Sequence, residues 1–571
     1  MATRALNFTR RIRIIKLQTR GLLSFVRERG CQGYSGGLWK TKWVLAFCAA
    51  AVVASSAATT FNTLASFNGS NGTSPSYAPL VQGPNGNLYG TTYGGGANGY
   101  GTIFQISTAG ALSTLHSFDN SDGANPCAGV IVANDGNLYG TTSAGGANGY
   151  GTVFRITAGG TLTTLHSFDL TDGAYPCAGL VQMLTGYFYG TTPQGGANGH
   201  GTIFTLNGGT FTTVHSFDLT DGSGPYNLFF PYPGLVTITW GDLYGTTKSG
   251  GANGDGTVFK ISAANTITTY HSFDVTDGLS PYAGLVQATN GSFYGTTYSG
   301  GANGDGTVFQ MTPSGALTTL HNFAVTDGEN PEAALIQATD GNLYGTTYSG
   351  GAGYGTIFQM TLKGALTTLY SFAATDGNCP QAALFQATDG NFYGTTYSGG
   401  ANGDGTVFKL SEGLGPFVQT VPSYGKVGAK EIILGNNLTG ATSVSFNGTA
   451  ATFTVVSASE ITATLPAGAI TGAVTVTTPS GTLNGSVIYR VVPQVTGFSP
   501  PSGPAGTPVT VTGISLTQVN QVSVGGVGAT SFTVNSDTQL TVTVPTGART
   551  GKIGVGTPGG EASSPTNFTV P

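Results

Sequence analysis

The sequence predicts an all-β protein, a seven-bladed β-propeller followed by two immunoglobulin-like β-sandwich domains. A segment of about 50 residues occurs seven times between residues 60 and 412, and a different segment occurs twice in residues 416–571. The chain contains 93 Gly and 26 Pro among 571 residues, and only 8% of its residues are charged. This composition disfavours a coiled coil or a helical bundle and favours short strands joined by tight turns.

Residues 1–58 have the pattern of a secretory signal peptide. Lys40 and Lys42 precede the apolar run 43–54, which a group of small residues follows. The run is too short to span a bilayer, and its flanks are those of a signal sequence. A translation start downstream of Met1 would shorten the long stretch before it. The alternatives are a buried hydrophobic helix and twin-arginine export, although the arginine pair lies far from the apolar run.

The charge is distributed unevenly along the chain. Ten of the 20 basic residues lie within the first 42 residues, together with a single acid, so the remainder carries a net charge of about −14. An acidic body without a basic stripe is a poor partner for nucleic acid. We therefore expect a secreted or cell-surface protein that has no nucleic-acid partner and no transmembrane segment in the mature chain.

The repeat has a period near 50 residues, which is typical of a propeller or a solenoid. The string Tyr-Gly-Thr-Thr occurs seven times, with its tyrosine at positions 89, 139, 189, 244, 294, 344 and 393. One repeat divides into four strand-like segments, 284–289, 292–298, 306–312 and 316–323, with a tight turn at Asn290-Gly291. Four strands per repeat without a helical pattern predict one antiparallel blade.

The two ends of the array divide one blade between them. The array begins with a lone fourth strand, residues 61–67, and ends with only three strands, of which 405–410 is the last. If the N-terminal strand completes the last blade, seven blades close into a ring and no long sheet edge stays exposed. We therefore predict a closed ring over residues 59–412.

The segments DGNLYGTT, SGGANGDGTVF and LTTLHSF resemble the tandem repeats of the GloVer family, which occurs in secreted bacterial proteins. The resemblance covers about 350 residues. It implies export of the chain, but it implies little chemistry, because the family has no established activity that can be transferred to these residues.

Residues 416–492 and 493–571 are two copies of one pattern. Val and Thr alternate in 509–512 and in 540–544, as in half-buried strands, and several short strands in each copy predict a sandwich. The second copy, with VTGFSPPSGPAGTPVTVTG and VPTGARTGKIGV, resembles an IPT/TIG domain, whereas the first copy departs at its start, VPSYGKVGAKEIILG. Such domains occur in transcription factors and in bacterial extracellular proteins, and the signal peptide favours the second setting.

Most groups with catalytic potential fall on repeated positions. Five of the six histidines precede a Ser/Asn-Phe pair, and a residue repeated on a packing strand is structural, whereas His200 lies in a glycine loop. Residues 59–571 contain no HExxH, zinc-binding Cys/His set, GxSxG or phosphate loop, so we predict no catalytic residue, metal or cofactor. The recurrent Thr-Asp-Gly segments do not supply the six oxygens that calcium requires, so we interpret them as Asx-turns.

The cysteines do not form a disulfide framework, because three remain after the targeting segment and none has a CxxC spacing. Cys127 and Cys177 occupy the same place in neighbouring repeats, in NPCAG and YPCAG. An inter-repeat disulfide is therefore possible, but we favour their interpretation as small buried residues.

One face of the ring is predicted to carry a ligand site. The long loops, between strands two and three and between successive repeats, lie together on this face. The exposed candidates are the tyrosines after Gly-Thr-Thr in repeats 1, 5, 6 and 7, the aspartates of three glycine loops and the aromatics of an insertion in repeat 4: Tyr93, Tyr298, Tyr348, Tyr397, Asp255, Asp305, Asp404, Tyr226, Phe229, Phe230 and Tyr232. Aromatic rings beside polar oxygens suit sugar rings. The alternative is that the tyrosines only pack against neighbouring loops.

These observations favour a secreted or cell-surface, non-enzymatic binding protein with an extracellular glycan or a surface protein as its partner. The alternative is an extracellular carbohydrate-active enzyme, a glycosidase or lyase on a propeller scaffold, and a structural role in an envelope or matrix is a third possibility. An enzyme needs positioned acid and base groups. The acids on this face that break the repeat pattern are Glu329 and Glu332, and we expect both to be solvated in one exposed loop.

Overall fold

Each repeat folds as strands because β-branched and aromatic residues alternate between Gly- and Asn-containing turns. The structure, a computed structural model, describes residues 58–75, 77, 79–223, 235–237, 242–262 and 265–571. The regular secondary structure elements within these ranges are all β-strands. The predicted signal peptide and the aromatic insertion of repeat 4 lie outside the described residues.

The repeat array contains 28 strands in the described ranges. In chain order they are β1 (Thr60–Ser66), β2 (Val81–Gln82), β3 (Leu88–Thr92), β4 (Thr102–Ile106), β5 (Leu112–Ser117), β6 (Ile131–Val132), β7 (Leu138–Thr142), β8 (Thr152–Ile156), β9 (Leu162–Ser167), β10 (Val181–Gln182), β11 (Phe188–Thr192), β12 (Thr202–Asn207), β13 (Thr210–Ser216), β14 (Val236–Thr237), β15 (Leu243–Thr247), β16 (Thr257–Ile261), β17 (Ile267–Ser272), β18 (Val286–Gln287), β19 (Phe293–Thr297), β20 (Thr307–Met311), β21 (Leu317–Asn322), β22 (Ile336–Gln337), β23 (Leu343–Thr347), β24 (Thr356–Met360), β25 (Leu366–Ser371), β26 (Phe385–Gln386), β27 (Phe392–Thr396) and β28 (Thr406–Ser411).

The described strands of the array form seven four-stranded antiparallel sheets, numbered here by repeat. Sheets 1 to 6 each use four consecutive strands, from β2–β5 to β22–β25. Sheet 7 has the order β1-β28-β27-β26, so the N-terminal strand completes the last sheet, as the phase of the repeats predicts. In every sheet the innermost strand has only two residues.

The residues that recur in every repeat have local structural roles. A Cβ on Gly90 would lie 2.6 Å from the Phe104 ring, so only glycine lets these two strands pack so closely. In every sheet the second threonine of Gly-Thr-Thr bonds to the threonine that begins the third strand, as Thr92 Oγ1 does with Thr102 Oγ1 at 2.8 Å. These pairs fix the base of each long loop.

Sheets 7 and 1 pack together like the other neighbouring sheets. Phe67 and Tyr393 of sheet 7 share one buried cluster with Leu88 and Phe104 of sheet 1. The Thr388 amide also donates to Gln82 Oε1 at 3.0 Å. Equivalent Gln contacts join sheets 5 and 6 and sheets 6 and 7. The two ends of the array are therefore in direct contact.

Residues 416–571 form two units in which four-stranded sheets enclose a buried core. The first contains β29 (Gln419–Val421), β30 (Tyr424–Gly425), β31 (Lys430–Leu434), β32 (Ser443–Phe446), β33 (Thr449–Ala450), β34 (Thr452–Val455), β35 (Glu460–Thr464), β36 (Val474–Thr478), β37 (Gly481–Asn484) and β38 (Arg490–Val491). The second contains β39 (Gln494–Ser499), β40 (Pro508–Ile514), β41 (Gln521–Val524), β42 (Val527–Gly528), β43 (Phe532–Ser536), β44 (Gln539–Thr543), β45 (Ile553–Thr557) and β46 (Gly560–Ser563).

Both units have the same sheet topology. The orders β29-β31-β35-β34 and β33-β32-β36-β37 in the first correspond to β39-β40-β44-β43 and β42-β41-β45-β46 in the second. The parallel pair β30-β38 is an addition of the first unit. The duplication predicted from the Val/Thr pattern is thus a duplication of structure.

The first C-terminal unit contacts the face of the array that carries the short turns between the first and second strands of each sheet, which we call the short-turn face. Tyr424 OH accepts a hydrogen bond from Asn134 Nδ2 and donates one to the Met183 carbonyl, both at 2.8 Å. Ser459 Oγ donates to the Pro84 carbonyl at 3.1 Å. These contacts are made to the turns between the first and second strands, at the ends of the sheets opposite the long loops.

Within the described ranges there is no helix long and apolar enough to cross a membrane.

Candidate functional site

The candidate site lies where the innermost strands of the seven sheets meet. In six of the seven repeats an alanine lies shortly before the innermost strand, and the residue before that position varies among the repeats. We call these residues the inner tier: Tyr77, Cys127, Cys177, Tyr282, Glu332 and Gln381. The corresponding residue of repeat 4, Tyr232, lies outside the described residues.

A cavity of approximately 270 Å³ is surrounded by these segments. Its walls include Tyr77, Tyr282, Glu332 and Gln381, and each repeat also supplies an apolar residue: Pro79, Val130, Leu180, Leu235, Leu285, Ala334 and Ala383. The cavity therefore combines an apolar wall with a small polar cluster, as ligand sites usually do.

Glu332 is the principal charged group of this cavity. Its side chain is 3% exposed, so the expectation of a solvated acid in an exposed loop is wrong for this residue. Burial raises the pKa of Glu332 to about 8, although a hydrogen bond from Gln381 and the charge of Lys248 partly oppose this rise. The carboxyl is buried where Tyr77 of repeat 1, Tyr282 of repeat 5 and Gln381 of repeat 7 line the same cavity.

Gln381 links Glu332 to the aromatic wall. Its Nε2 atom donates to Tyr77 OH at 2.9 Å, and its amide is near enough to Glu332 to lower the pKa of that carboxyl. Glu332 Oε2 and Gln381 Oε1 are buried and have no hydrogen-bond partner among the described residues. Two acceptor atoms are thus directed into one polar cluster.

Lys248 supplies a positive charge beside the cavity. Its Nζ atom lies 4.5 Å from the centroid of the Tyr282 ring, in a cation–π contact. Burial lowers the pKa of Lys248 to about 8, against the opposite influence of Glu332. A lysine and a glutamic acid with oppositely shifted pKa values are typical of functional sites, although structural ion pairs also produce such shifts.

The predicted tyrosines form an outer tier around the inner one. Tyr397 is 41% exposed, and Tyr93, Tyr298 and Tyr348 are half-buried. Tyr298 packs on Tyr282 with ring centroids 4.7 Å apart, and Tyr93 packs against the two inner-tier cysteines. Tyr348 and Tyr397 are near enough to the cavity residue Tyr77 to raise the pKa of its hydroxyl, so all four rings lie near the cavity. Their role in ligand binding stays a prediction.

The predicted aspartates Asp255, Asp305 and Asp404 are half-buried at the ends of the glycine loops. Each backbone carbonyl accepts the N–H of a residue in the next repeat at 2.9 Å, for example that of Ser280 for Asp255 and that of Ser74 for Asp404. Among the described residues, no group donates a hydrogen bond to their carboxylates. The backbone of these residues joins neighbouring sheets, and their carboxylates remain available on the loop face.

A repeat-family model named for Gloeobacter and Verrucomicrobia matches residues 49–236 and 230–456 of the sequence. The chain belongs to the Gloeobacter/Verrucomicrobia repeat family. The second C-terminal copy, residues 493–570, matches the IPT/TIG domain. No protein among the curated sequences matches the chain.

Several solved structures show weak likeness to this family member. A catalytically inactive virginiamycin B lyase from Staphylococcus aureus, solved with quinupristin, is 18% identical, with 62% of this chain and 99% of the lyase covered and a TM-score of 0.46. A gluconolactonase from Xanthomonas campestris is 13% identical, with 62% and 89% covered and a TM-score of 0.34. A surface glycan-binding protein from Prevotella bryantii is 20% identical, with 26% and 38% covered and a TM-score of 0.21. Likeness this weak assigns no activity.

The Gloeobacter/Verrucomicrobia repeat array is cross-linked between sheets 2 and 3. Cys127 and Cys177 form a disulfide, with Cα atoms 5.1 Å apart, so our favoured interpretation of them as small buried residues is wrong. The packing of sheet 2 against sheet 3 brings the same position of two neighbouring repeats close together, which their separation of 50 residues does not reveal. Cys379 is a free cysteine, half-buried, and burial raises the pKa of its thiol.

Replacing both cysteines, Cys127→Ala and Cys177→Ala, should lower the free energy of unfolding by about 2–4 kcal/mol, because the bond closes a long loop in the unfolded chain. Urea unfolding of the wild-type protein and the double variant without reductant measures the loss. Adding reductant to the wild-type protein should reproduce it. Cys379→Ala serves as the control. Three reactive thiols in the unfolded, unreduced mature protein would contradict the disulfide.

The repeated histidines of the family member are structural, as their position predicts. The Nε2 atoms of His116, His166, His215 and His271 lie 2.7–2.8 Å from the aspartate of the following Asp-Gly pair, and that of His321 lies 3.1 Å away. In repeat 7, Tyr370 OH donates to Asp376 in the same way. Among the described residues, no group of three or more His, Cys, Asp or Glu side chains is placed to hold a metal ion.

Sequence reasoning missed the inner tier of the repeats. Its signal was present, since Tyr, Cys, Glu or Gln occupies one position while alanine follows it in six of the seven repeats. A variable position between constant neighbours indicates that packing within the sheet does not determine it. Only the arrangement of the sheets shows that these variable residues face one cavity.

Proposed function

We propose that the chain is a secreted or cell-surface, non-enzymatic binding protein that takes an extracellular glycan on the loop face of a seven-bladed β-propeller. The proposed architecture has a targeting segment in residues 1–58, the propeller in 59–412 and two immunoglobulin-like sandwiches in 416–492 and 493–571. The pairing of β1 with β28 and a cavity bordered by all seven repeats support the closed ring.

The observation that carries the proposed function is the position of the outer tier. Exposed Tyr397 and half-buried Tyr93, Tyr298 and Tyr348 stand beside the cavity, in repeats that are contiguous in a closed ring. A pyranose ring offers an apolar face to an aromatic ring and hydroxyls to its surroundings. The contacts of the first C-terminal unit are made to the other face, so they leave the loop face accessible.

Two further features support an extracellular setting. The Cys127–Cys177 disulfide is typical of oxidising compartments, such as the periplasm and the cell exterior. The acidic body does not favour binding to nucleic acid or to anionic surfaces. A glycan array probed with the purified mature chain tests the proposal, and reproducible binding of a defined glycan class is the expected result.

Tyr397→Ala should weaken glycan binding by on the order of 1 kcal/mol or more, because an exposed aromatic contact is lost. Stability should change by less than about 0.5 kcal/mol. Tyr187→Ala is the matched control, since Tyr187 is 40% exposed but lies on the short-turn face. Calorimetric titration with the best array ligand measures both variants. Equal affinities of the two variants would exclude Tyr397 from the binding surface.

Glu332 favours an extracellular carbohydrate-active enzyme as the second candidate function. A buried carboxyl that is mostly protonated at neutral pH can act as a general acid. Incubating the array ligand with the protein and measuring released products by chromatography separates the two functions. Product release that Glu332→Gln abolishes would favour the enzyme, and an unchanged ligand would favour the binding protein.

A further inference from the structure

The polar cluster of the cavity has hydrogen-bonding capacity that the described protein groups do not use. Gln381 donates an amide N–H to Tyr77 OH and lies beside Glu332. When the Glu332 carboxyl is ionised, Glu332 Oε2 and Gln381 Oε1 are buried acceptors without a described partner. Buried acceptors are costly to leave without a donor. A ligand that fits this cluster must therefore supply at least two hydrogen-bond donors close together.

The charges beside the cluster restrict the ligand further. A cation would approach the Lys248 ammonium, which already lies against the Tyr282 ring. An anion would meet the acceptor oxygens of Glu332 and Gln381. Neutral hydroxyl groups meet neither obstacle, because they donate to both oxygens without carrying charge into a buried site.

The size and walls of the cavity indicate a single ring. At approximately 270 Å³ it lies just below the range of about 300–1,000 Å³ typical of small-molecule sites. Tyr77 and Tyr282 provide aromatic surface, and Leu180 and Leu285 are among its apolar residues. One face of a sugar ring can contact such a wall while adjacent hydroxyls point to the polar cluster.

We propose that the cavity is a subsite for one neutral sugar residue, a chain end of the bound glycan, whose adjacent hydroxyls donate to Glu332 and Gln381. The subsite rests on the proposed function, since the outer tier would hold the residues that follow the chain end. The inner tier would then select the terminal residue, and the outer tier would contribute affinity for the rest of the glycan.

Saturation-transfer NMR with the methyl glycosides of glucose, galactose, mannose, xylose and N-acetylglucosamine tests the subsite on the full mature chain. At pH 9, where the Glu332 carboxyl is ionised, at least one glycoside should bind, and Glu332→Gln should weaken that binding at least about tenfold, because an ionised acceptor becomes a donor. Glu329→Gln is the matched control, from the same loop and with the same chemical change. The thermal midpoint of each variant verifies folding.

The outcomes separate the subsite from the proposed function. Array binding that Tyr397→Ala weakens and Glu332→Gln leaves unchanged would overturn the subsite and retain the glycan-binding face. Binding of a methyl glycoside that Glu332→Gln reduces and Glu329→Gln does not would support the subsite. If neither the array nor any of the five glycosides binds, both proposals are wrong.

Discussion

Deleting residues 59–68 should destabilise the repeat array by more than about 6 kcal/mol, far more than trimming a terminus usually does. The deletion removes β1, whose residues pair with β28 from Thr60–Ser411 to Ser66–Thr406. It also removes Phe67, which is fully buried, and Phe61, whose ring stacks on Tyr370 with centroids 3.8 Å apart. A buried Phe contributes about 3–5 kcal/mol, and the lost strand leaves β28 as an open edge.

Two point variants separate the packing of this strand from its mere presence. Phe67→Ala should cost about 3–5 kcal/mol, whereas Asn62→Ala, on an exposed position of the same strand, should cost less than about 0.5 kcal/mol. Thermal unfolding of the purified mature chain measures all three changes. A deleted protein with the melting temperature of the intact protein would show that β1 does not hold the array together.

The sequence predicted the strands of the array because each repeat contains its own local signals. Tyr-Gly-Thr-Thr needs glycine where Phe104 approaches Gly90, and the following threonines form the pairs at the loop base. The pairing of β1 with β28 was also predictable, because it depends only on which strand each end of the array lacks. These features depend on the repeat alone, so the same sequence signal occurs in each of the seven repeats.

The site was less predictable because it depends on contacts between distant repeats. Glu332 has an ordinary surface sequence around it, and its burial requires Tyr77 and Gln381, which come from repeats 1 and 7. The disulfide likewise depends on how close sheets 2 and 3 approach at their inner edges. The outer-tier tyrosines could be selected from the sequence, since they follow a constant motif and differ from their counterparts.

The stability of the protein should decrease as the pH rises from 4.5 to about 8, and Glu332→Gln should remove the part of this decrease that Glu332 contributes. Burial raises the pKa of Glu332 from 4.5 to about 8, so the folded protein holds this proton more tightly than the unfolded chain. Stability therefore falls wherever only the folded state is protonated. Full titration across this window corresponds to a loss on the order of 4–5 kcal/mol.

Glu431 and Lys248 also titrate with shifted pKa values, and a comparison of wild type with Glu332→Gln separates their contributions from that of Glu332. Burial raises the pKa of Glu431, in the first C-terminal unit, to about 7, which adds a similar loss below that pH in both proteins. Burial lowers the pKa of Lys248 to about 8, so its contribution changes with the opposite sign and above pH 8. The difference between wild type and Glu332→Gln, measured up to pH 8, therefore reports Glu332.

Urea unfolding of wild type and Glu332→Gln at pH 5, 6.5 and 8 provides the measurement. The variant should gain stability relative to wild type at each step, with the largest difference at pH 8. Glu431→Gln is the control, because it should remove only the part of the decrease that Glu431 contributes below about pH 7 and keep the Glu332 decrease up to pH 8. If the free energies of unfolding of wild type and Glu332→Gln change in parallel with pH, the Glu332 carboxyl is hydrated in solution. A ligand entering the cavity would then meet a hydrated group instead of a buried acceptor.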